Sequence, residues 1–299
     1  MTIKEGYISF RGYKTYYRIV NPEGKKVPLL LVHGGPGSTH NSFEVLDDLA
    51  YLDDRPVISY DQIGCGLSAL EDSHPSLWVK ETWANELINL REKLGLKKIH
   101  LLGHSWGGML SIIYLIDYKP EGVLSATLSS TLSSVELWRK ETHRLVKYLS
   151  DEDQKAIKEA EETQDYFSSL EFQIANQNYT DMFIFGEDKA TLPECIKRKK
   201  NPGTESYITA WGKCEFSPSG TLKNYEYTDK LKEIRCPVLL FSGANDESTS
   251  LQNKVMFENL TCKKKWYLFE NSNHRSYVQE HDKYVEKLIS FLNENEVQE

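Results

Sequence analysis

The chain has 299 residues, 39% of them hydrophobic and 27% charged, a balance that excludes a disordered chain and leaves room for one large domain or two modest ones. Its 36 Lys and Arg against 44 Asp and Glu give a net charge of −8, which argues against a general nucleic-acid binder dependent on a basic surface. No apolar run reaches the roughly 18 residues of a membrane helix. The opening Met1-Thr2-Ile3-Lys4-Glu5-Gly6 lacks the apolar core of a secretory signal, so a cytoplasmic protein without membrane insertion is expected.

Residues 7–10 and 13–20 read as strands, the second rich in aromatic and β-branched side chains. Residues 27–32 form an unbroken apolar run before His33-Gly34-Gly35-Pro36-Gly37, the pattern of a strand buried on both faces. Residues 56–60 and 98–102 repeat that pattern. Between them, 77–94 has helical spacing with Trp83, Leu87, Leu90 and Leu94 on one face. Strands alternating with helices predict βαβ units. After a further strand at 123–128 the character changes, and from residue 134 to about 225 the chain is polar, rich in Lys and Glu, and helical in pattern. Strand character returns at 236–242 and 265–269, before a final amphipathic helix with Tyr284, Leu288, Ile289 and Leu292 on its apolar face. The expectation is an α/β core over residues 1–130 and 226–299, interrupted by a helical insertion over 131–225. Five scattered cysteines include no C-x-x-C pair for zinc or redox chemistry and read as free thiols of a reducing compartment. The run Lys197-Arg198-Lys199-Lys200 reads as a solvated loop.

Gly103-His104-Ser105-Trp106-Gly107 matches G-x-S-x-G and lies between the apolar run ending at Leu102 and an apolar helix over 109–118. In that context the glycines permit a tight strand-to-helix turn that holds a serine strained and exposed. A serine hydroxyl needs a base to take its proton, and the base needs an orienting acid. In strand–turn–helix serine hydrolases the acid and then the base follow the serine. Asp246 follows one late strand and His274 the next, so both fall just past strand C-termini, where open α/β sheets place their sites. Glu247 rivals Asp246 as the orienting acid. An oxyanion hole requires two donors: the backbone N–H of Trp106 is one, and Gly35, in the glycine-rich loop after the third strand, is assigned as the second. The segment from Ser105 to Asp246 far exceeds the roughly 30 residues of a βαβ step, so the insertion would stand over the strand ends as a lid that selects substrate. Phe167, Tyr207 and Trp211 are candidate walls of its pocket.

Taken together, residues 33–37, Asp61-Gln62-Ile63-Gly64-Cys65-Gly66-Leu67-Ser68, 103–108 and 243–249 resemble the proline iminopeptidases, α/β-hydrolases that remove N-terminal proline from peptides. The resemblance spans nearly the whole chain, and the HGGPG and DQxGxGxS pair is its most discriminating part. It implies an α/β-hydrolase fold with a mostly parallel sheet flanked by helices and an inserted helical cap. It further implies Ser105, Asp246 and His274 as a triad, Gly35 and Trp106 as the oxyanion hole, and short peptides with N-terminal proline as substrates, without metal or cofactor. Family members hold the free α-amino group with acidic side chains, which here implies Glu215 and Glu247. A fixed negative charge is what an aminopeptidase needs to register a protonated amine. Two departures stand out: Lys213-Cys214 replaces Pro-Asn beside Glu215, and Ser250 replaces a proline after Thr249. An esterase or amidase of the same fold is the alternative enzyme, and a non-catalytic hydrolase-fold binding protein a further one.

Overall fold

In a computed structural model describing residues 1–186 and 190–296, eight strands form one sheet in the order β1-β2-β4-β3-β5-β6-β7-β8. The strands are β1 (Ile3–Phe10), β2 (Tyr13–Val20), β3 (Leu29–Val32), β4 (Val57–Tyr60), β5 (Ile99–His104), β6 (Val123–Ser129), β7 (Val238–Gly243) and β8 (Lys264–Phe269). The first two form an antiparallel hairpin that joins β4 antiparallel, while β4, β3, β5, β6, β7 and β8 run parallel. Their C-terminal ends therefore gather along one edge.

The unbroken apolar runs occupy central strands because both faces of the sheet are covered. Side chains alternate along each strand. Leu30 and Val32 thus enter the core with Trp83, Leu87 and Leu90 of helix α2 (Lys80–Lys93) and with helix α3 (Trp106–Ile113). Leu29 and Leu31 enter the opposite core with the short helix α1 (Leu49–Leu52) and the C-terminal α11 (His281–Glu294). The final helix is amphipathic as predicted, although Ile289 packs only partly buried beside Leu288 and Leu292.

Between β6 and β7 the chain leaves the sheet for α4 (Val135–Val146), α5 (Asp151–Thr163), α6 (Leu170–Phe183), α7 (Glu194–Lys197) and α8 (Thr204–Ala210). Serines start three of these helices, Ser134, Ser150 and Ser169, each accepting a backbone N–H of the first turn at 3.1–3.2 Å. Helices α4, α5 and α6 share a separate apolar cluster with Phe216 and Cys214. After β7 come α9 (Ser250–Asn259) and α10 (Ser276–Gln279). Among the described residues no helix is long and apolar enough to cross a membrane.

Candidate active site

Ser105 follows β5 directly and adopts φ 56°, ψ −124°, a strained conformation for a residue with a side chain. The turn is this tight because strand and helix nearly touch: a Cβ on Gly107 would stand 1.9 Å from the Val32 carbonyl oxygen. Gly34 lies on the other side, where a Cβ would come within 3.0 Å of the Ser105 Cβ. The loop after β3, with Gly35 at φ +114°, therefore runs alongside the serine. Trp106 begins α3, so its N–H is one of the first four of that helix and has no intrahelical carbonyl to meet.

His274 lies beyond the end of β8 and is 5% exposed. Its Nδ1 lies 2.7 Å from Asp246 Oδ1, so Nδ1–H donates to the carboxylate and Nε2 is left as the proton acceptor. Glu247 meets the opposite edge of the ring, with Oε1 3.9 Å from Nε2. The adjacent carboxylates thus face different nitrogens, and it is Asp246 that engages Nδ1. The Ser248 N–H donates to Asp246 Oδ1 at 2.8 Å and Thr249 caps α9, so the turn is closed with Ser250 in place of proline. Behind the imidazole, His104 Nε2 donates to the His274 carbonyl at 2.8 Å. Burial, then the neighbouring His274, holds the His104 pKa well below its ordinary value, so it acts as a neutral donor.

Glu215 and Glu247 lie close enough for their charges to act on one another. Glu247 is 1% exposed, and its Oε2 has no hydrogen-bond partner. Burial pushes its pKa well above the carboxylate range, and the charges of Glu215 and Asp246 add to the effect. Burial also raises Glu215, with nearby His274 opposing. Trp138 and Trp211 fix the Glu215 backbone, their indole N–H groups donating to its carbonyl at 3.0 and 3.3 Å. The phenols of Tyr207 and Tyr179 border the two carboxylates, Tyr179 without an aligned hydrogen bond. Among the described residues, no lysine or arginine forms an ion pair with either acid. Lys213, the departure beside Glu215, points away: its ammonium donates to the Gln164 carbonyl at 3.2 Å and lies over the Tyr166 ring. Phe167 must be withdrawn as a pocket wall. It is 60% exposed, in the loop before α6 and outside the cluster formed by α4, α5 and α6.

Two further residues organise the site. Gln62 accepts the Trp106 indole N–H at 2.8 Å, donates to the His33 carbonyl at 2.8 Å, and gives its backbone N–H to His33 Nε2 at 3.0 Å. It cross-links the two halves of the expected oxyanion hole. Glu86 of α2 is fully buried beneath it and accepts the Ile63 N–H at 2.9–3.0 Å and the Thr15 hydroxyl at 2.5 Å. Its sequence signal was a charge at helical spacing from Trp83 and Leu90, on an otherwise apolar stripe. Burial pushes its pKa up to about 7. His33, Asp61 and Cys65 also bring potential metal-ligating atoms within 4.8 Å of one another. Each is already engaged: His33 with the Gly34 carbonyl and Gln62, Asp61 with His40 and the Leu67 N–H, Cys65 with the Gln62 carbonyl.

Residues 27–280 match the alpha/beta hydrolase fold family. Proline iminopeptidase of Lactobacillus acidophilus is 51% identical over 99% of this chain and 100% of its own length. The chain belongs to the proline iminopeptidase family of α/β hydrolases. The Clostridioides difficile proline iminopeptidase is 53% identical, again over 99% of this chain and all of its own. A crystal structure of proline iminopeptidase from Mycobacterium smegmatis superposes with a TM-score of 0.83 over 98% of each chain; at 24% identity that likeness concerns the fold.

Proposed function

We propose that this protein is a serine aminopeptidase that releases N-terminal proline from short peptides. One observation carries the reading: buried Glu247, with an unpartnered oxygen, and half-buried Glu215 both act on the His274 imidazole, without a lysine or arginine counter-ion among the described residues. A carboxylate buried without a partner is either held neutral or compensated by a cation, and a substrate ammonium supplies that compensation. The adjoining acyl carbon is then presented to Ser105.

His274 Nε2 takes the Ser105 proton as the oxygen attacks the proline carbonyl. The Trp106 and Gly35 N–H groups stabilise the resulting oxyanion. The imidazolium passes its proton to the departing amine, leaving prolyl-Ser105. Water, deprotonated by His274, then hydrolyses that ester and frees proline and the serine. Residues 131–225 act as the cap that brings Glu215 over the core and restricts what enters. The five unpaired cysteines accord with action in the reducing cytoplasm.

The test is a substrate panel. Proline β-naphthylamide is expected to be cleaved and N-acetylproline β-naphthylamide hardly at all, because capping leaves both acids uncompensated, at roughly 1–3 kcal/mol or more. Equal cleavage of the two would transfer the protein to the general esterase and amidase class. Chelators should leave the rate unchanged, whereas inhibition reversed by added metal would overturn the mechanism.

A further inference from the structure

In an aminopeptidase the amine anchor and the oxyanion hole must keep a fixed separation. The substrate's α-nitrogen lies only about 2.5 Å from its carbonyl carbon, so an error of even a fraction of an ångström misplaces one end. Here the two ends are supplied by different parts of the chain: the oxyanion loop by the core, and Glu215 by the segment after α8.

Residues 201–203 join those parts through two backbone hydrogen bonds. The Gly203 N–H donates to the Gly37 carbonyl at 2.8 Å, and the Gly66 N–H donates to the Asn201 carbonyl at 2.7 Å. Residues 201–203 therefore span the HGGPG loop and the loop that carries Gln62. The approach leaves no room for a side chain, since a Cβ on Gly37 would lie 2.4 Å from the Gly203 oxygen. From Gly203 the chain enters α8 at once and carries Tyr207 to the amine chamber. Trp211 N–H then bonds the Tyr207 carbonyl at 2.8 Å, and Ser219 and Gly220 fold back onto the Trp211 carbonyl at 2.8 and 2.9 Å. Glu215 sits within that closed turn. A short chain of backbone hydrogen bonds thus runs from the oxyanion loop to the cap's carboxylate.

We propose that the backbone contact of residues 201–203 with Gly37 and Gly66 is a register clamp, which sets the amine anchor one residue from the acylated carbonyl and so determines that a single residue is released. This rests on the aminopeptidase reading above and adds a specificity-determining element outside the triad and the acids.

Gly203→Ala is the direct probe. Gly203 has φ −79°, which alanine adopts freely, so the effect comes from space alone. The new Cβ would meet the Ser206 Oγ at 2.5 Å, the Gly64 carbonyl oxygen at 2.9 Å and the Gly37 Cα at 3.1 Å. The hydroxyl can rotate away, but the backbone atoms must give. The variant is expected to lose at least about tenfold in kcat/KM on proline β-naphthylamide, since misplacement by about 1 Å can cost a hundredfold. It should keep p-nitrophenyl acetate hydrolysis, which needs no amine anchor, within about twofold. Ser206→Ala, which removes the hydroxyl's 2.7 Å bond to the Gly203 carbonyl without adding bulk, should move the ratio of the two activities in the same direction by a smaller factor. An equal fall in both activities would reduce the contact to a support of the oxyanion loop and overturn the proposal, as would an unchanged ratio. If Gly203→Ala does not fold by circular dichroism, the Ser206→Ala ratio decides. Failure of the wild-type protein to distinguish free from acetylated proline β-naphthylamide would instead refute the aminopeptidase reading itself.

Discussion

Ser105 carries its hydroxyl on a backbone held at φ 56° by close contacts with β3 and with Gly34, so the side chain adds reactivity and little packing. Ser105→Ala should therefore abolish turnover and labelling by fluorophosphonate while leaving the melting temperature within about 2 °C, as expected for a substitution worth under roughly 0.5 kcal/mol. Residual turnover near the wild-type rate would remove Ser105 from the chemistry. Glu86 shows the opposite pattern, touching no substrate and weighing on stability. Its folded pKa of about 7 exceeds its ordinary value of 4.5. The folded state therefore holds a proton that the unfolded chain has released, and stability present below about pH 4.5 is lost as pH rises through about 7. At ~1.4 kcal/mol per unit the loss is about 3 kcal/mol. Glu86→Gln keeps an acceptor for the Ile63 N–H and removes that ionisation. Urea unfolding should show the variant gaining roughly 2–3 kcal/mol on wild type between pH 5 and pH 8, with kcat within a few-fold. A gap that does not change with pH would show that Glu86 is not the group responsible.

At the level of elements, the turn after β7 sets two neighbouring acids against different nitrogens of His274, and the proposed reading gives them different duties. Asp246→Asn should remove amide and ester hydrolysis alike, by a factor on the order of 10³–10⁴, because the imidazole loses both tautomer and orientation. Glu247→Gln should spare p-nitrophenyl acetate hydrolysis and raise KM for proline β-naphthylamide. The reverse outcome would exchange their roles. These duties were not separable in the sequence, because consecutive residues beyond a strand end point in directions that only the turn decides. The strands themselves were legible, since burial on both faces leaves an unbroken apolar run, and the order Ser105, Asp246, His274 follows from the topology of strand ends. Gln62 was visible only as part of a motif, and its links to Trp106 and His33 arise between elements far apart in the chain. Phe167 was misplaced for a related reason: an aromatic residue in a helical insertion has the same signature whether it faces a pocket or solvent.

At the scale of the whole molecule, the proposed amine site takes Glu215 from the segment after α8 and Glu247 from the turn after β7, so an amine ligand held by both should stabilise the fold as a unit. Both acids have raised pKa values through burial, Glu247 strongly. Being raised, they leave the folded state relatively more stable at acid pH, and that advantage is lost as pH climbs towards their folded values. An ammonium compensates the ionised pair but gains little from the protonated one. Ligand stabilisation should therefore grow as pH rises, until the ligand's own amine, with a pKa near 8, begins to lose its proton. At a hundred times its dissociation constant, L-prolinamide should add ~2.7 kcal/mol, which for a chain of this length is an upward shift of roughly 4 °C. Differential scanning fluorimetry with L-prolinamide should show a shift that is larger near pH 7.5 than near pH 5, and none with N-acetylprolinamide. Glu215→Gln should diminish the shift at neutral pH. If the acetylated ligand stabilised equally, or the shift were the same at both pH values, the carboxylate pair would not be the amine's binding partner.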